Sequence, residues 1–285
     1  VAFEAPKLGL RPVAVTVDHG LQEGSAGIAE QAVDAARSLG LRARVVRVEV
    51  KDARGGPEAA ARDARYAALR DAAVEEDAAA ILVAHTLDDQ AETVLLGLAR
   101  GAGAASLQGM PPASVRDGLA LLRPLLAVRR ATTRAACAAE GLSPWDDPHN
   151  AEHRFARVRV RETVLPVLEA ELGPGVAEAL ARTADQLRED ADAFADMIDE
   201  TIEDIVEHAE AGIAVSVAAL AANPAALRHR IIRHVVDSEF GQSLSRAQTL
   251  EVARLVTDWR GQGPIDLPGC RALRVGGRIV ITARA

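Results

Sequence analysis

Residues 81–93, Ile-Leu-Val-Ala-His-Thr-Leu-Asp-Asp-Gln-Ala-Glu-Thr, carry most of the information about the fold. Residues 79–84 form a short apolar run that is typical of a buried strand, and residues 88–98 have helical spacing. A strand therefore passes into a helix at His85. This junction is typical of α/β sheets, in which ligands bind beyond the carboxyl ends of the strands.

The preceding segments repeat this alternation. Residues 12–18 form a β-branched apolar run, and helical spacing follows over residues 28–39. Residues 43–50 are the next predicted strand. After a loop at Gly55-Gly56-Pro57, residues 58–73 are the next predicted helix. The alternation predicts an α/β fold, a parallel sheet with helices on both faces.

The rest of the chain changes character twice. Residues 119–126 are predicted to form an edge strand or a loop, and residues 129–140 a helix. Nearly continuous helix follows over residues 155–208, broken near residues 172–175. A small α+β module with a helix start at Asn223-Pro224 completes the chain. The predicted domains are an α/β domain (1–150), which the resemblance given below makes the catalytic one, a helical connector (151–208) and a small C-terminal domain (209–285).

Composition narrows the class of protein. The 285 residues are 49% hydrophobic, enough for a sizeable core. Cys137 and Cys270 lie far apart without a CxxC motif, which argues against a disulfide scaffold, a zinc site or a redox dithiol. No run approaches the ~18 apolar residues of a membrane span, and residues 1–7 do not resemble a signal peptide. We expect a cytoplasmic protein with no membrane partner and no metal held by side chains.

The net charge of −8 argues against a nucleic-acid partner, but phosphate binding depends on local patches. Basic side chains occur in runs: Arg123, Arg129, Arg130 and Arg134; Arg154, Arg157, Arg159 and Arg161; and Arg228, His229, Arg230, Arg233 and His234. A single run is most simply a solvated face with snorkelling arginines. Together, on an acidic protein, the runs modestly favour RNA.

Asp89 and Glu92 are the first candidate functional residues. Helix capping accounts for Asp88. It accounts poorly for Asp89 and Glu92 together, because their i, i+3 spacing puts both carboxylates on one helix face at a strand end. Such a pair could hold an ammonium group or a magnesium–phosphate group; the alternative is an ordinary acidic helix start.

Two further segments allow a structural and a functional interpretation. Asp18 and His19 either bond the backbone of a strand-end turn or contact a nucleotide. Arg62 forms an i, i+4 pair with Glu58, or it joins Arg65 in offering forked donors to phosphate. Because residues 18–19 and 85–92 both follow strands, we expect His19 and the acidic pair to face one adenylate-sized hollow.

Motifs with polar strand ends and marked turns follow one another in a fixed order. They are Val17-Asp18-His19-Gly20-Leu21, residues 58–66, residues 85–93, Arg100-Gly101-Ala102-Gly103, Leu107-Gln-Gly-Met-Pro111, Arg123-Pro-Leu-Leu126, Trp145-Asp-Asp-Pro-His-Asn150, and residues 155–161 leading into Val164-Leu-Pro166. This series resembles the tRNA(Ile)-lysidine synthetases of the PP-loop ATP pyrophosphatase superfamily. The resemblance implies an adenine nucleotide alpha hydrolase-like fold.

The resemblance also implies a reaction. ATP adenylates C2 of the wobble cytidine of tRNA(Ile), and the amine of L-lysine then displaces AMP to give lysidine. ATP and Mg²⁺ are the implied cofactors. The oligomeric state stays open, a homodimer being one alternative.

Site roles follow from the same resemblance. Asp18 and His19 would line the nucleotide side, with His85 nearby, and Arg62 and Arg65 would face phosphate. Asp89 and Glu92 would receive lysine or help to organise catalysis. Arg157 would meet the substrate or the AMP phosphate, and Arg123 would support the pocket.

The family's Ser-Gly-Gly-x-Asp-Ser loop occurs nowhere in the sequence. We therefore expect the first strand and the PP-loop to be missing, and the chain alone not to hydrolyse ATP at an enzyme-like rate. Two alternatives stay open: another PP-loop enzyme, such as a tRNA thiolase or an amidotransferase synthetase, and an inactive RNA-binding remnant. The basic helix over residues 227–234 is a further candidate for tRNA contact, through Arg228, Arg230 and Arg233.

Overall fold

The computed structural model describes residues 1–20, 22, 24–50, 57–101, 103–209 and 212–284. These residues form two compact units, Val1–Gln186 and Leu187–Ala285. Gly55 and Gly56 of the predicted loop lie outside the described residues, as do Leu21 and Ala102 of the quoted motifs.

The first unit alternates strands and helices as predicted. Its elements are β1 (Val13–Asp18), α1 (Ser25–Ser38), β2 (Arg42–Arg47), α2 (Pro57–Glu75), β3 (Ala80–Leu82), α3 (Leu87–Ala99), α4 (Ala104–Leu107), β4 (Ala113–Arg116), β5 (Leu119–Leu122), α5 (Arg130–Ala139), α6 (Ala156–Arg159) and α7 (Leu165–Leu172). A π-helical turn, Val160–Val164, joins α6 to α7. The predicted long helix is thus interrupted before α8 (Val176–Ile205) begins.

Parallel pairing defines the sheet structure. β1 pairs with β2 from Val13↔Arg42 to Asp18↔Arg47, and β3 pairs with β5. Helix α1 packs on β1 and β2, whereas α2 packs on both β1 and β3 and so connects the strand pairs. The predicted α/β fold class is confirmed.

Residues 119–126 are placed differently from the prediction. β5 is not an edge strand, because β3 lies on one side of it and β4 pairs antiparallel on the other. The physical reason is a tight turn at Asp117 and Gly118, both with positive φ, that folds β4 back onto β5.

The second unit is the predicted small α+β module. Its elements after α8 are β6 (Val206–Ala209), β7 (Gly212–Ser216), α9 (Val217–Ala222), α10 (Ala225–Phe240), α11 (Arg246–Thr257), β8 (Ile265–Leu267), β9 (Cys270–Val275) and β10 (Arg278–Ala283). The strands form an antiparallel sheet in the order β6–β7–β10–β9–β8. Helices α10 and α11 bury apolar faces, including Ile231 and Val252, in a core shared with that sheet. Within the described part of the chain, no helix has both the length and the apolarity needed to cross a bilayer.

Candidate active site

The N-terminus of α3 is closed by a capping box. Thr86 Oγ1 accepts a hydrogen bond from Asp89 N (3.4 Å), and Asp89 Oδ2 accepts from Thr86 N (2.8 Å) and Oγ1 (2.7 Å). Asp88 instead accepts from the backbone N–H of Arg130 (2.7 Å), at the start of α5. The prediction that Asp88 caps its own helix is therefore wrong, because Thr86 is the N-cap and Asp89 completes the capping box.

Asp89 is held in its charged form. Burial raises the pKa of its carboxyl, but the hydrogen bonds from Thr86 and the charges of Arg130 and Arg157 outweigh burial and lower that pKa. The Arg130 guanidinium donates to Asp89 Oδ1 at 2.9 Å. Asp89 thus joins the start of α3 to the start of α5.

Glu92 lies one turn further along α3 and its side chain is 0% exposed. Its Oε1 accepts from Arg161 Nε (2.8 Å) and Arg130 Nη2 (3.1 Å), and its Oε2 accepts from Arg161 Nη2 (3.1 Å). Arg157 Nη1 lies 3.8 Å from Oε2. A buried carboxylate is tolerated only when it is paired and hydrogen-bonded, and these arginines meet that requirement. We call Glu92 with Arg130, Arg157 and Arg161 the arginine cage.

Different elements bring the arginine cage together. Arg130 begins α5, Arg157 lies on α6, and Arg161 lies on the π-helical turn that follows. Arg157 also donates to Thr93 Oγ1 at 3.1 Å, on the same helix as Glu92. In the sequence, Arg130 and Arg161 belong to basic runs whose simplest interpretation is a solvated face. The i, i+4 spacing of Arg157 and Arg161 indicated a shared face for Arg161, but no sequence pattern indicated the role of Arg130.

His85, at the junction of β3 and α3, is a neutral imidazole near pH 7. The pKa of this imidazole is lowered to about 4, first by burial and then by the charges of Arg123, Arg62 and Arg65. The charge of Asp89 acts in the opposite direction and raises that pKa. Its Nδ1 is buried and has no hydrogen-bond partner among the described residues. A buried nitrogen without a partner is available to a ligand.

Asp18 stabilises the turn after β1. Its Oδ1 accepts from Gly20 N at 3.0 Å, and this bond and one from Ser25 lower the pKa of the buried Asp18 carboxyl. Burial and the charge of Arg65 lower the pKa of neighbouring His19. The local turn is therefore enough to explain the position of the Asp18 carboxylate. His19 differs, because its Nδ1 is buried and has no hydrogen-bond partner among the described residues.

A cavity of ≈ 700 Å³ opens beside this turn. It is lined by Asp18, His19 and Gly20, by the apolar face of α1, and by residues 142–145. Neither Asp89 nor Glu92 is among the residues that line this cavity, and arginines cover both carboxylates instead. The hollow expected between the acidic pair and His19 therefore stays a prediction. Arg65 acts on both strand ends, because its charge lowers the pKa of His19 as well as that of His85.

The remaining candidate arginines have different environments. Arg62 and Arg65 of α2 lie 5.2 and 5.6 Å from the centre of the Tyr66 ring, within cation–π range. The Glu58 side chain lies outside the described residues, so its predicted pairing with Arg62 stays a prediction. Arg123 is only 7% exposed and donates to the carbonyl oxygen of Pro111 at 2.7 Å.

The Leu107–Pro111 motif has a structural explanation. Buried Gln90 donates to Met110 O (3.0 Å) and accepts from Met110 N (2.7 Å). Gly109 has φ +61°, and a Cβ at this position would lie 2.5 Å from Gln90 Oε1. Only glycine therefore lets α3 approach this loop closely enough for the paired bonds.

The first two arginine runs are not free phosphate-binding patches. Arg129 lies near Asp88 and Glu178, Arg134 pairs with Asp146, and Arg154 pairs with Glu152. Arg159 donates to the carbonyl oxygens of His153 and Arg154. The expectation that these runs favour RNA therefore loses most of its support in the first unit.

Family models match both units. A PP-loop domain model matches residues 2–168, and a TilS substrate binding domain model matches residues 216–280. Since the first match covers more than half of the chain, the chain is a PP-loop domain protein. The expectation that the PP-loop is absent is wrong, because the PP-loop domain model matches from residue 2 onward. The expected inactivity of the chain had no other basis, and the match does not test it.

Curated relatives refine the assignment. The chain is 60% identical over 277 residues to a tRNA(Ile)-lysidine synthase from Leifsonia xyli, covering 97% of this chain and 82% of the relative. It is 50% identical over 289 residues to the same enzyme from Streptomyces coelicolor, covering 99% and 80%. The chain belongs to the tRNA(Ile)-lysidine synthase family.

A solved structure supports the fold alone. The U34-tRNA thiolase NcsA from Methanococcus maripaludis has a TM-score of 0.54 and 18% identity, covering 63% of this chain and 62% of the thiolase. At that identity the likeness carries no chemistry. The thiolase alternative therefore gains nothing from it, whereas the relatives at 60% and 50% identity are tRNA(Ile)-lysidine synthases.

Proposed function

We propose that the protein catalyses the ATP-dependent ligation of lysine to C2 of the wobble cytidine of tRNA(Ile). The 60% identity to a tRNA(Ile)-lysidine synthase over 97% of this chain carries the proposal. In the first step the C2 oxygen attacks the α-phosphorus of ATP and pyrophosphate leaves. In the second step the lysine amine attacks C2, AMP leaves with the oxygen, and the amine loses a proton.

The cavity beside β1 is the proposed nucleotide side of the site. Its ≈ 700 Å³ lies in the size range of small-molecule pockets, and Asp18 and His19 line it. Arg62 and Arg65 would supply donors to phosphate from α2. A neutral His85 would offer a hydrogen bond without adding charge, and Arg123 would support this side through the Pro111 carbonyl.

Arg157 is the proposed catalytic arginine. Its guanidinium is bonded to Thr93 and lies near Glu92, and its side chain is still 30% exposed, so it can reach a developing negative charge on the adenylate. Of the two roles open to Asp89 and Glu92, we favour organisation of the arginines over reception of lysine. Their oxygens already accept hydrogen bonds from Thr86, Arg130 and Arg161.

The same carboxylates do not fit a magnesium ion. Mg²⁺ prefers carboxylate oxygens and water at short distance, but each oxygen of Asp89 and Glu92 already faces an N–H or O–H donor. Among the described residues, no group of His, Cys, Asp or Glu is arranged to hold a metal. Mg²⁺ stays a prediction that accompanies ATP, and these residues supply no ligand for it.

Lysine incorporation tests the proposal. The purified chain is incubated with ATP, radiolabelled lysine and a tRNA(Ile) transcript. We expect label in the tRNA together with one AMP and one pyrophosphate per lysine. A transcript with uridine at the wobble position and a reaction without ATP should give none. Absence of label in the complete reaction, or label that does not depend on ATP, would contradict the proposal.

The inactive-remnant alternative rested on the missing loop and is not supported by the PP-loop match to residues 2–168. The division of labour among residues 1–150, 151–208 and 209–285 stays a prediction. So do the cytoplasmic location and the homodimer.

A further inference from the structure

Thr93 follows Glu92 on α3, and its hydroxyl joins two neighbouring groups. Its Oγ1 donates to the carbonyl oxygen of Asp89, four residues earlier, at 2.7 Å. Arg157 Nη2 donates to the same Oγ1 at 3.1 Å. A hydroxyl has one proton and two lone pairs, so the bond to Asp89 uses the proton and leaves an acceptor for the guanidinium. Thr93 is thus fixed by its own helix in the orientation that Arg157 requires.

A stronger acceptor for Arg157 lies close by. A carboxylate binds a guanidinium more strongly than a neutral hydroxyl does, because both partners are charged. Even so, Arg157 Nη1 lies 3.8 Å from Glu92 Oε2, which is an ion-pair distance but too long for a hydrogen bond. The Glu92 oxygens accept from Arg130 and Arg161 instead, at 2.8 to 3.1 Å. Glu92 therefore attracts the Arg157 guanidinium, and the bond to Thr93 holds it short of direct contact.

The resulting position suits a guanidinium that serves a ligand. The Arg157 side chain is 30% exposed, whereas the Glu92 side chain is fully buried. A guanidinium carries five N–H donors, so one bond to Thr93 fixes the group and leaves donors for a second acceptor. Direct pairing with Glu92 would use those donors and neutralise the charge of the guanidinium.

We propose that Thr93 is a positioning residue for Arg157, whose guanidinium its hydroxyl keeps off Glu92 and directed at the adenylate. The proposal rests on the proposed function for the role of Arg157. Without the hydroxyl, the guanidinium loses its acceptor and turns toward the Glu92 carboxylate. A displaced and neutralised arginine contributes less to stabilising the charge that develops in the reaction. Thr93 therefore acts through Arg157 and not on the reacting atoms.

Steady-state kinetics of lysidine formation test the role of Thr93. Thr93→Val removes the hydroxyl but keeps the branched shape of the side chain, so the packing of α3 changes little. We expect kcat to fall about tenfold while the KM for lysine and the KM for ATP stay within about twofold of wild type. Thr93→Ser keeps the hydroxyl and should retain most of the kcat. Wild-type kcat in Thr93→Val, or a serine variant as slow as the valine variant, would overturn the proposal.

Thr183→Val is the matched control. Thr183 Oγ1 also donates to the carbonyl oxygen four residues earlier, Ala179 O at 2.9 Å, but among the described residues no arginine donates to it. The substitution therefore removes the same kind of intrahelical bond from α8 without affecting a guanidinium, and kcat should equal that of wild type. An equal loss in this variant would show that the effect of Thr93→Val comes from the helix and not from Arg157.

A double-variant cycle identifies Arg157 as the group through which Thr93 acts. If Arg157→Gln lowers kcat about 100-fold, Thr93→Val/Arg157→Gln should be no slower, because the hydroxyl then has no guanidinium to hold. Independent effects would multiply to a loss of about 1000-fold in kcat. A loss of that size would contradict the proposal.

Crystal structures of the wild type and of Thr93→Val separate this proposal from the proposed function. In the variant we expect the Arg157 guanidinium within about 3.2 Å of a Glu92 oxygen, compared with 3.8 Å when the hydroxyl is present. An unmoved guanidinium would overturn the proposal whatever the activity. A wild-type chain that formed no lysidine would overturn the proposed function, and the position of Arg157 in the two structures would still decide the role of Thr93.

Discussion

Arg161 and Glu92 form a two-point ion pair, with Nε 2.8 Å from Oε1 and Nη2 3.1 Å from Oε2. Paired, parallel bonds of this kind fix the plane of the carboxylate as well as its position. Because Arg130 and Arg157 approach the same carboxylate, one buried negative charge sets the positions of guanidinium groups from separate elements.

Replacing Glu92 by glutamine is expected to destabilise the first unit. The amide fills similar space but removes the buried negative charge, so that, among the described residues, Arg130 and Arg161 keep only the carboxylate of Asp89 as an ion-pair partner. Breaking a fully buried pair costs about 3–5 kcal/mol, and because these arginines are 26% and 21% exposed we expect about 2 kcal/mol. The loss in the free energy of unfolding is measured by urea unfolding, with circular dichroism as the signal. The control Glu178→Gln breaks a more exposed pair with Arg129 and should cost less than about 0.5 kcal/mol; equal losses would contradict the account.

Arg157 is expected to act on the reaction rather than on stability. Arg157→Gln should lower kcat for lysidine formation about 100-fold, the usual effect of removing a donor to developing charge, with little change in melting temperature. Arg159→Gln is the matched control, since Arg159 is a neighbour on α6 that, among the described residues, bonds only backbone carbonyls. Retained kcat in Arg157→Gln would remove Arg157 from the catalytic groups.

His85 gives a pH prediction. Its pKa is about 4 in the folded protein and near 6.5 in the unfolded chain, so the unfolded chain binds more protons between these values. The contribution of His85 to the free energy of unfolding should therefore be constant above pH 6.5 and should be lost as the pH falls from 6.5 toward 4. Over this range the wild type should lose about 2 kcal/mol more of its free energy of unfolding than His85→Gln does. Urea unfolding of both proteins at pH 7.5 and pH 4.5 measures this difference. An imidazole NMR titration midpoint near 6.5 for His85 would contradict the prediction.

Gly109→Ala separates a steric effect from a backbone effect. Both Gly109 and Gly118 have positive φ, but only at Gly109 would the new Cβ meet another atom, Gln90 Oε1 at 2.5 Å. We expect Gly118→Ala to cost about 1 kcal/mol from backbone strain alone, and Gly109→Ala about 1–3 kcal/mol more. Thermal unfolding compares them. Similar losses would mean that the close contact with Gln90 is unimportant.

The α/β alternation could be predicted from sequence because the periodicity of strands and helices is local. The arginine cage could not, because Arg130 and Arg161 lie 38 and 69 residues from Glu92 along the chain. Their position is a property of how α5, α6 and the π-helical turn pack on α3. From sequence alone, an arginine in a run is equally consistent with a solvated face.

Two smaller errors have the same origin. Strand β4 has little apolar alternation, and it forms because the turn at Asp117 and Gly118 places it beside β5. The roles of Asp88 and Asp89 were exchanged, because the sequence does not show that Asp88 caps a helix 42 residues away.

Steady-state kinetics of Glu92→Gln with lysine as the varied substrate test the central claim most directly. If Glu92 organises the arginine cage, kcat should fall markedly while the KM for lysine stays within about twofold of wild type. The KM should be retained because Glu92 would then make no contact with bound lysine. A KM for lysine raised about tenfold or more with kcat preserved would show that Glu92 receives the lysine, and would contradict the account.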